Sequence, residues 1–292
     1  MKSIVNRAHW NAGLSAALLI SAALTLSACT SPSFMSSAAT KAHALSAERI
    51  AEIVTSPDRS AVDRVSDARR KPEQLLALIS VRPGMVALDL SAGGGYTTEL
   101  LARAVGPTGR VYGQSAPRVP VSPQRQQVVP EDGAAPMAAQ PTVRLTSPQA
   151  LAERAKKPLV ANIIPVVRTF EDPAPLEAAS GGLDLVTLIF NYHDLGHMGV
   201  DRARMNNALF AALKPGGIYV IADHAGRPGT GISEAGTLHR VEEAFLRQEV
   251  ESAGFKLAAE GTFARNPADP RDKNTPVPAQ PKDGFVLKFV KP

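Results

Sequence analysis

The sequence predicts an α/β fold built on a parallel sheet, and three observations carry that prediction. Short apolar runs alternate with helical stretches along most of the chain. The first such run, Met85–Leu90, ends on Asp89-Leu90 and meets a glycine-rich loop, Ser91-Ala92-Gly93-Gly94-Gly95. That loop opens into a helical segment, Tyr96 to Val105, which a further strand, Arg110-Val111-Tyr112, follows. Strand, loop, helix and strand in that order open a parallel sheet with its crossovers on the faces. At 292 residues, 44% hydrophobic and 20% charged, the chain is long and apolar enough for one large α/β domain with a tether.

The elements follow in order. Ser46 can cap a short helix through about Val54, and Ser60-Ala61-Val62-Asp63 has the form of a variant capping box. Pro72 suits the first turn of a helix carrying Leu75, Leu76, Leu78 and Ile79. Arg82-Pro83-Gly84 makes a turn into the first strand, and Gly106-Pro107 closes the helix after the glycine loop. From Ser115 to Ser147 the composition shifts to Pro, Gln, Ala and Val, an inserted loop. Ser147-Pro148 can start a helix to about Lys156. Strands are expected at Ala161–Val167, irregular or on an edge because of Pro165, and at Leu183–Phe190. A helix over Asp201–Leu213 leads through Lys214-Pro215-Gly216-Gly217 into the strand Ile218–Ala222. One long helix is expected from Ser233 to Ala253, then strands at Phe255–Phe263 and Phe285–Val290.

The N-terminus reads as an address. Lys2 and Arg7 precede an Ala- and Leu-rich run from Ala12 to Leu26, then Leu26-Ser27-Ala28-Cys29. Its length suits a signal peptide over residues 1–28 and is short for a membrane span. The last four residues resemble a bacterial lipobox. That resemblance implies cleavage before Cys29 and a lipidated Cys29 as the new first residue, followed by a flexible tether to about residue 45. Several acyl chains anchor stably, at about 0.8 kcal/mol per buried methylene. Thr30, in place of Asp, favours the outer membrane by the sorting rule of enteric bacteria. Removing Lys2 and Arg7 takes the net charge from +5 to +3, too little to argue for nucleic acid. Cys29 is the sole cysteine, which excludes an internal disulfide, a multi-cysteine zinc site and a Cys–His catalytic pair.

Two readings of the glycine cluster fail. A dinucleotide-type Gly-x-Gly-x-x-Gly from Gly93 needs a glycine where the chain has Thr98, and no Gly-Lys-Ser/Thr phosphate loop is present. The cluster instead resembles the acidic-x-Gly-x-Gly-x-Gly motif of class I S-adenosylmethionine-dependent methyltransferases, here Asp89-x-Ser91-x-Gly93-x-Gly95, with Ser in the first glycine position. The turn Leu213-Lys214-Pro215-Gly216-Gly217 is a second feature of that family. Asn191-Tyr192-His193-Asp194, Ala222-Asp223-His224 and Phe285–Val290 resemble a branch of exported predicted methyltransferases. The resemblance spans roughly Pro72 to Pro292. It implies a Rossmann-like, seven-stranded mixed sheet with an antiparallel last strand and helices on both faces.

It also implies S-adenosylmethionine as cofactor. Asp89, Ser91, Gly93, Gly95 and Tyr96 would hold its methionine end beyond the strand's carboxyl terminus, at a helix N-terminus. Gln114 stands where the family carries the ribose-binding carboxylate, Asp172 lies near the adenine position, and Asn191 with Tyr192 would shape the donor pocket. Methyl transfer needs alignment and, for many acceptors, a base; His193, Asp194 and His224 are the catalytic candidates. His239, inside the expected long helix, reads as solvated or satisfied in the core. No metal is expected: His193, Asp194, His197, Asp223 and His224 could cluster, but Gly196 leaves the helical register of His193 and His197 uncertain. The acceptor would be a small molecule or a component of the envelope. The cofactor is made in the cytosol and the lipobox directs the chain outward. That keeps open an alternative, a lipid-anchored binding protein that has the fold without catalysis.

Overall fold

The computed structural model describes residues 43–117, 145–276 and 278–292. The signal segment, Cys29 with most of the tether, and nearly all of the 115–147 insert lie outside the described residues.

Three helices precede the sheet: α1 (Ala47–Thr55), α2 (Ala61–Arg70) and α3 (Pro72–Ile79). Ser46 and Ser60 cap the first two, their side chains accepting from the N–H groups of Arg49 and Asp63. Pro72 occupies the first turn of α3, which buries Leu75, Leu76 and Ile79. Then come β1 (Val86–Leu90), α4 (Tyr96–Val105) and β2 (Arg110–Ser115), followed beyond the insert by α5 (Ser147–Ala155). The cap of α5 is Thr146, one residue before the expected start, in a full capping box with Gln149. A 3₁₀ turn (Pro158–Val160) leads to β3 (Ile163–Val167), and β4 (Leu183–Ile189) is followed by a short helix, α6 (Tyr192–His197). The remainder is α7 (Arg202–Ala212), β5 (Leu213–His224), α8 (Ala235–Leu238), α9 (Glu243–Ser252), β6 (Lys256–Gly261) and β7 (Gly284–Val290).

The sheet order is β3-β2-β1-β4-β5-β7-β6. Pairings from β3 through β5 are parallel, and β7 runs antiparallel between β5 and β6. β3 is an edge strand, where Pro165 is tolerated. The turn Lys214–Gly217 forms a bulge inside β5: Leu183 faces Leu213, and two residues on Leu185 faces Ile218. Side chains alternate into two cores, one on each face. Leu88, Leu90, Val186 and Leu188 pack on one side with residues of α7 and α9. Ala87, Leu185 and Val220 pack on the other with α1, α3, α4 and α5. Strand order reverses between β1 and β4, so a crevice opens at their carboxyl ends. Among the described residues no helix is long and apolar enough to cross a membrane.

The expected helix from Ser233 to Ala253 is broken. Between α8 and α9, His239 takes a left-handed φ of 51°. Val241 makes a parallel bridge to Ala225 at the end of β5. Arg240, fully buried, donates to the carbonyls of Ala225 (3.1 Å) and Lys273 (3.0 Å) and pairs with Asp269. These long-range partners offset the helical hydrogen bonds that the break forgoes.

α5 is seated through a glycine. Gly95 has φ 85°, and a Cβ there would lie 2.8 Å from both Arg154 Cδ and Leu151 Cδ2. Gly95→Ala is therefore expected to lose about 1–3 kcal/mol in denaturant unfolding, and an unchanged midpoint would contradict this packing.

Candidate active site

The site begins in the loop from β1 to α4. Ser91, Gly93 and Gly95 all have positive φ, 52°, 55° and 85°, so the chain coils tightly before the free end of α4. Ser91 keeps the left-handed bend in spite of its Cβ. The loop is clamped from β2: the Gln114 carbonyl accepts from Ala92 N–H (2.9 Å), and its side-chain Oε1 accepts from Ser91 N–H (3.0 Å). At its other end the Gln114 amide donates to the Arg168 carbonyl at 2.6 Å, and the residue is wholly buried. Gln114 thus braces the loop from behind instead of offering its side chain to a ribose. The choice of an amide follows, because a carboxylate could accept from Ser91 but could not donate to Arg168.

Under the loop lies Asp89. Its two oxygens accept from Thr98 Oγ1 of α4 (2.6 Å) and Thr187 Oγ1 of β4 (2.7 Å). Burial pushes its pKa up to about 6, against the pull of the two threonines. In front of it opens a cavity of about 300 Å³, lined among others by Asp89, Ser91, Gly93, Gly94, Tyr96 and Asn191. Gly95 does not line this cavity; its part is the packing of α5. Asp172 does not line it either, being paired with Arg168 on the exposed loop after β3.

Three charged residues of the cavity wall had no local sequence signal: Asp63, Arg70 and Arg154. Arg154 donates from Nε to the Gly94 carbonyl (2.5 Å) and pairs with Asp63 (2.6 Å) and with buried Glu99. Arg70 lies over Tyr96 (4.9 Å) and Phe190 (5.5 Å), with Arg69 also near the Phe190 ring. The Tyr96 hydroxyl donates to Asp67 at 2.6 Å; burial and that carboxylate raise its pKa.

A second cluster adjoins the cavity through Phe190 and Asn191. Phe190 holds a left-handed φ of 57° and stacks on His224, with centroids 5.0 Å apart. The buried Asp223 carboxylate accepts from the backbone N–H of His193 (2.8 Å) and of His224 (2.7 Å), and meets His193 Nδ1 at 2.6 Å. Asp194 Oδ1 lies 3.3 Å from His193 Nε2 and 3.0 Å from His239 Nδ1, while its Oδ2 accepts from Asn191 Nδ2 at 2.9 Å. Burial lowers the pKa of His193, but the carboxylates of Asp223 and Asp194 outweigh it and hold it at about 10. Asp194 keeps a lowered pKa because its imidazole neighbours outweigh its own burial. His239 therefore belongs to the site, against the expectation of a solvated or core histidine. Only the helix break brings it there.

No family model matches the sequence, and no curated protein matches it. Solved structures do. A SAM-dependent methyltransferase from Aquifex aeolicus matches with a TM-score of 0.53 and 17% identity, over 85% of this chain and 100% of that one. The putative methyltransferase in a complex with the Haloferax volcanii Trm112 methyltransferase activator matches with 0.50 and 17%, over 85% and 99%. The fold is that of the class I methyltransferases. In this methyltransferase fold the cradle, the buried acid and the histidine cluster all sit at the carboxyl end of the sheet.

Raised folded-state pKa makes Asp89 a source of stability below its unfolded value, near 4, which is lost as pH rises through 6. Two units correspond to roughly 3 kcal/mol. Unfolding free energies at pH 4 and pH 8 should show Asp89→Asn gaining about 2–3 kcal/mol on the parent chain over that interval; parallel pH profiles would contradict it.

Proposed function

We propose that this chain is an S-adenosylmethionine-dependent methyltransferase carried to the cell envelope as a lipoprotein. The observation that carries the reading is the left-handed loop Ser91–Gly95, coiled over a buried carboxylate and opening on a cavity at the sheet's switch point. The residues fit the cofactor's amino-acid end: the start of α4 supplies N–H groups for a carboxylate, and Arg70 adds positive charge to the wall. When bound, S-adenosylmethionine supplies an electrophilic methyl group, which passes to the acceptor's lone pair while the C–S bonding electrons stay on sulfur.

The chain's own groups align the partners and take up a proton. Phe190 and His224 form an aromatic wall beside the cavity, suited to an acceptor with a flat or apolar face. Asp194 and His239, about a quarter and a third exposed, are the groups an acceptor can reach. His193, fully buried, positions Asp194 and is itself positioned by Asp223. The acceptor is a small molecule or an envelope component rather than a nucleic acid, and the anchor is a lipid on Cys29, on the periplasmic side and at the outer membrane.

Titration calorimetry of the full-length protein with S-adenosylmethionine and with its demethylated product tests the cofactor. Micromolar binding is expected, weakened at least about tenfold, or 1.4 kcal/mol, in Gly93→Val. Absence of heat at millimolar ligand would contradict the reading. For the anchor, Cys29→Ser should move the chain from the membrane to the soluble envelope fraction and abolish labelling by radioactive palmitate. Unchanged membrane association would sink the lipoprotein assignment.

A further inference from the structure

Five titratable side chains converge beside the cradle from three places in the fold. His193 and Asp194 come from α6, Asp223 and His224 from the end of β5, and His239 from the break between α8 and α9. We propose that His193, Asp194 and His239 form a binding site for one first-row divalent cation of the zinc class, with Asp223 and Asn191 aiming its ligands. The site does not depend on the methyl-transfer reading.

The geometry is that of a two-imidazole, one-carboxylate set. One ligand atom from each residue lies within 4.8 Å of the others. Metal bonds of about 2.0–2.1 Å place tetrahedral neighbours about 3.3 Å apart. Asp194 Oδ1 already stands 3.3 Å from His193 Nε2 and 3.0 Å from His239 Nδ1, so only the two imidazoles have to draw together. This donor set, with positions left for water or an acceptor oxygen, suits zinc or iron(II) and not calcium or magnesium.

The supporting shell is also built. Metal-bound histidines characteristically give their second nitrogen to a carboxylate, which fixes the ring. Asp223 does this for His193 at 2.6 Å, turning Nε2 toward Asp194. Asn191 holds Asp194 Oδ2, leaving Oδ1 toward the imidazoles. His239 is kept in a left-handed conformation by the anchored Arg240 beside it, the kind of local strain found at functional sites. A cation entering from the partly exposed side of Asp194 and His239 would take the place of the His193 Nε2 proton between the same carboxylates. The four-residue spacing of His193 and His197 is not the signal: the His197 ring packs toward Gly236, where a Cβ would meet its Nδ1 at 3.2 Å.

Cobalt(II) titrated into the full-length, chelator-treated protein tests the site, with visible absorption reporting its coordination. One equivalent should bind, and one equivalent of zinc should displace it. Asp194→Asn and His239→Ala should each weaken cobalt binding at least about a hundredfold, Asp223→Asn by about 10–100-fold, and His197→Ala not at all. Only variants that keep the parent melting transition are compared; Asp194→Asn, at a partly exposed side chain, keeps the test open if His239→Ala does not fold. No cobalt absorption, binding that survives both ligand substitutions, or equal loss in His197→Ala would overturn the proposal. S-adenosylmethionine calorimetry is read separately, so either site can fail alone.

Discussion

A carboxylate in the middle of a sheet has to be held, and Asp89 is held by two threonine hydroxyls from different layers. Thr187 belongs to the neighbouring strand and Thr98 to the helix that the glycine loop launches. The three-way tie fixes where β1 stops, how α4 leaves it and how far the crevice between β1 and β4 opens. Its energetic cost is carried by the ionised form, so the protein keeps at its switch point a group whose charge state sits close to physiological pH. Active sites are where such shifted groups are commonly found.

The cradle is supported from behind as much as from below. Gln114 reaches Ser91 on one side and Arg168 on the other, and Arg154 reaches Gly94 while pairing with Glu99 and Asp63. The loop is thereby linked to β2, to the segment after β3, to α5 and to α2. Ordering a loop costs about 1–2 kcal/mol per residue in backbone entropy. Hydrogen bonds already made in the protein remove much of that cost from ligand binding, which is what preorganisation means here.

The sequence made the fold legible where the signals are local. The helix after the glycine loop runs from Tyr96 to Val105 as read, because glycines bracket it, and Ser46 and Ser60 cap as expected. The antiparallel insertion of β7 is as the resemblance to class I methyltransferases implies. What escaped depends on partners far along the chain. A helical pattern over 233–253 could not reveal that Arg240 finds carbonyls at Ala225 and Lys273, so the break that brings His239 beside Asp194 was invisible. The sequence places Gln114 at the ribose-binding position of the resemblance and hides its bracing role, because its side-chain partners at Ser91 and Arg168 are distant in sequence. Arg154 gave no sign of lying on the Gly94 carbonyl, 60 residues away.

The central claim is that the Ser91–Gly95 cradle holds the amino-acid end of S-adenosylmethionine over Asp89. A crystal structure of the protein grown with S-adenosylhomocysteine tests it most directly. The account predicts the ligand's carboxylate within hydrogen-bond reach of N–H groups at the start of α4, with the Gln114 side chain still on Ser91 and Arg168. A ligand bound elsewhere, or one that reaches the cradle only by displacing Gln114 and Asp89 from their partners, would contradict it.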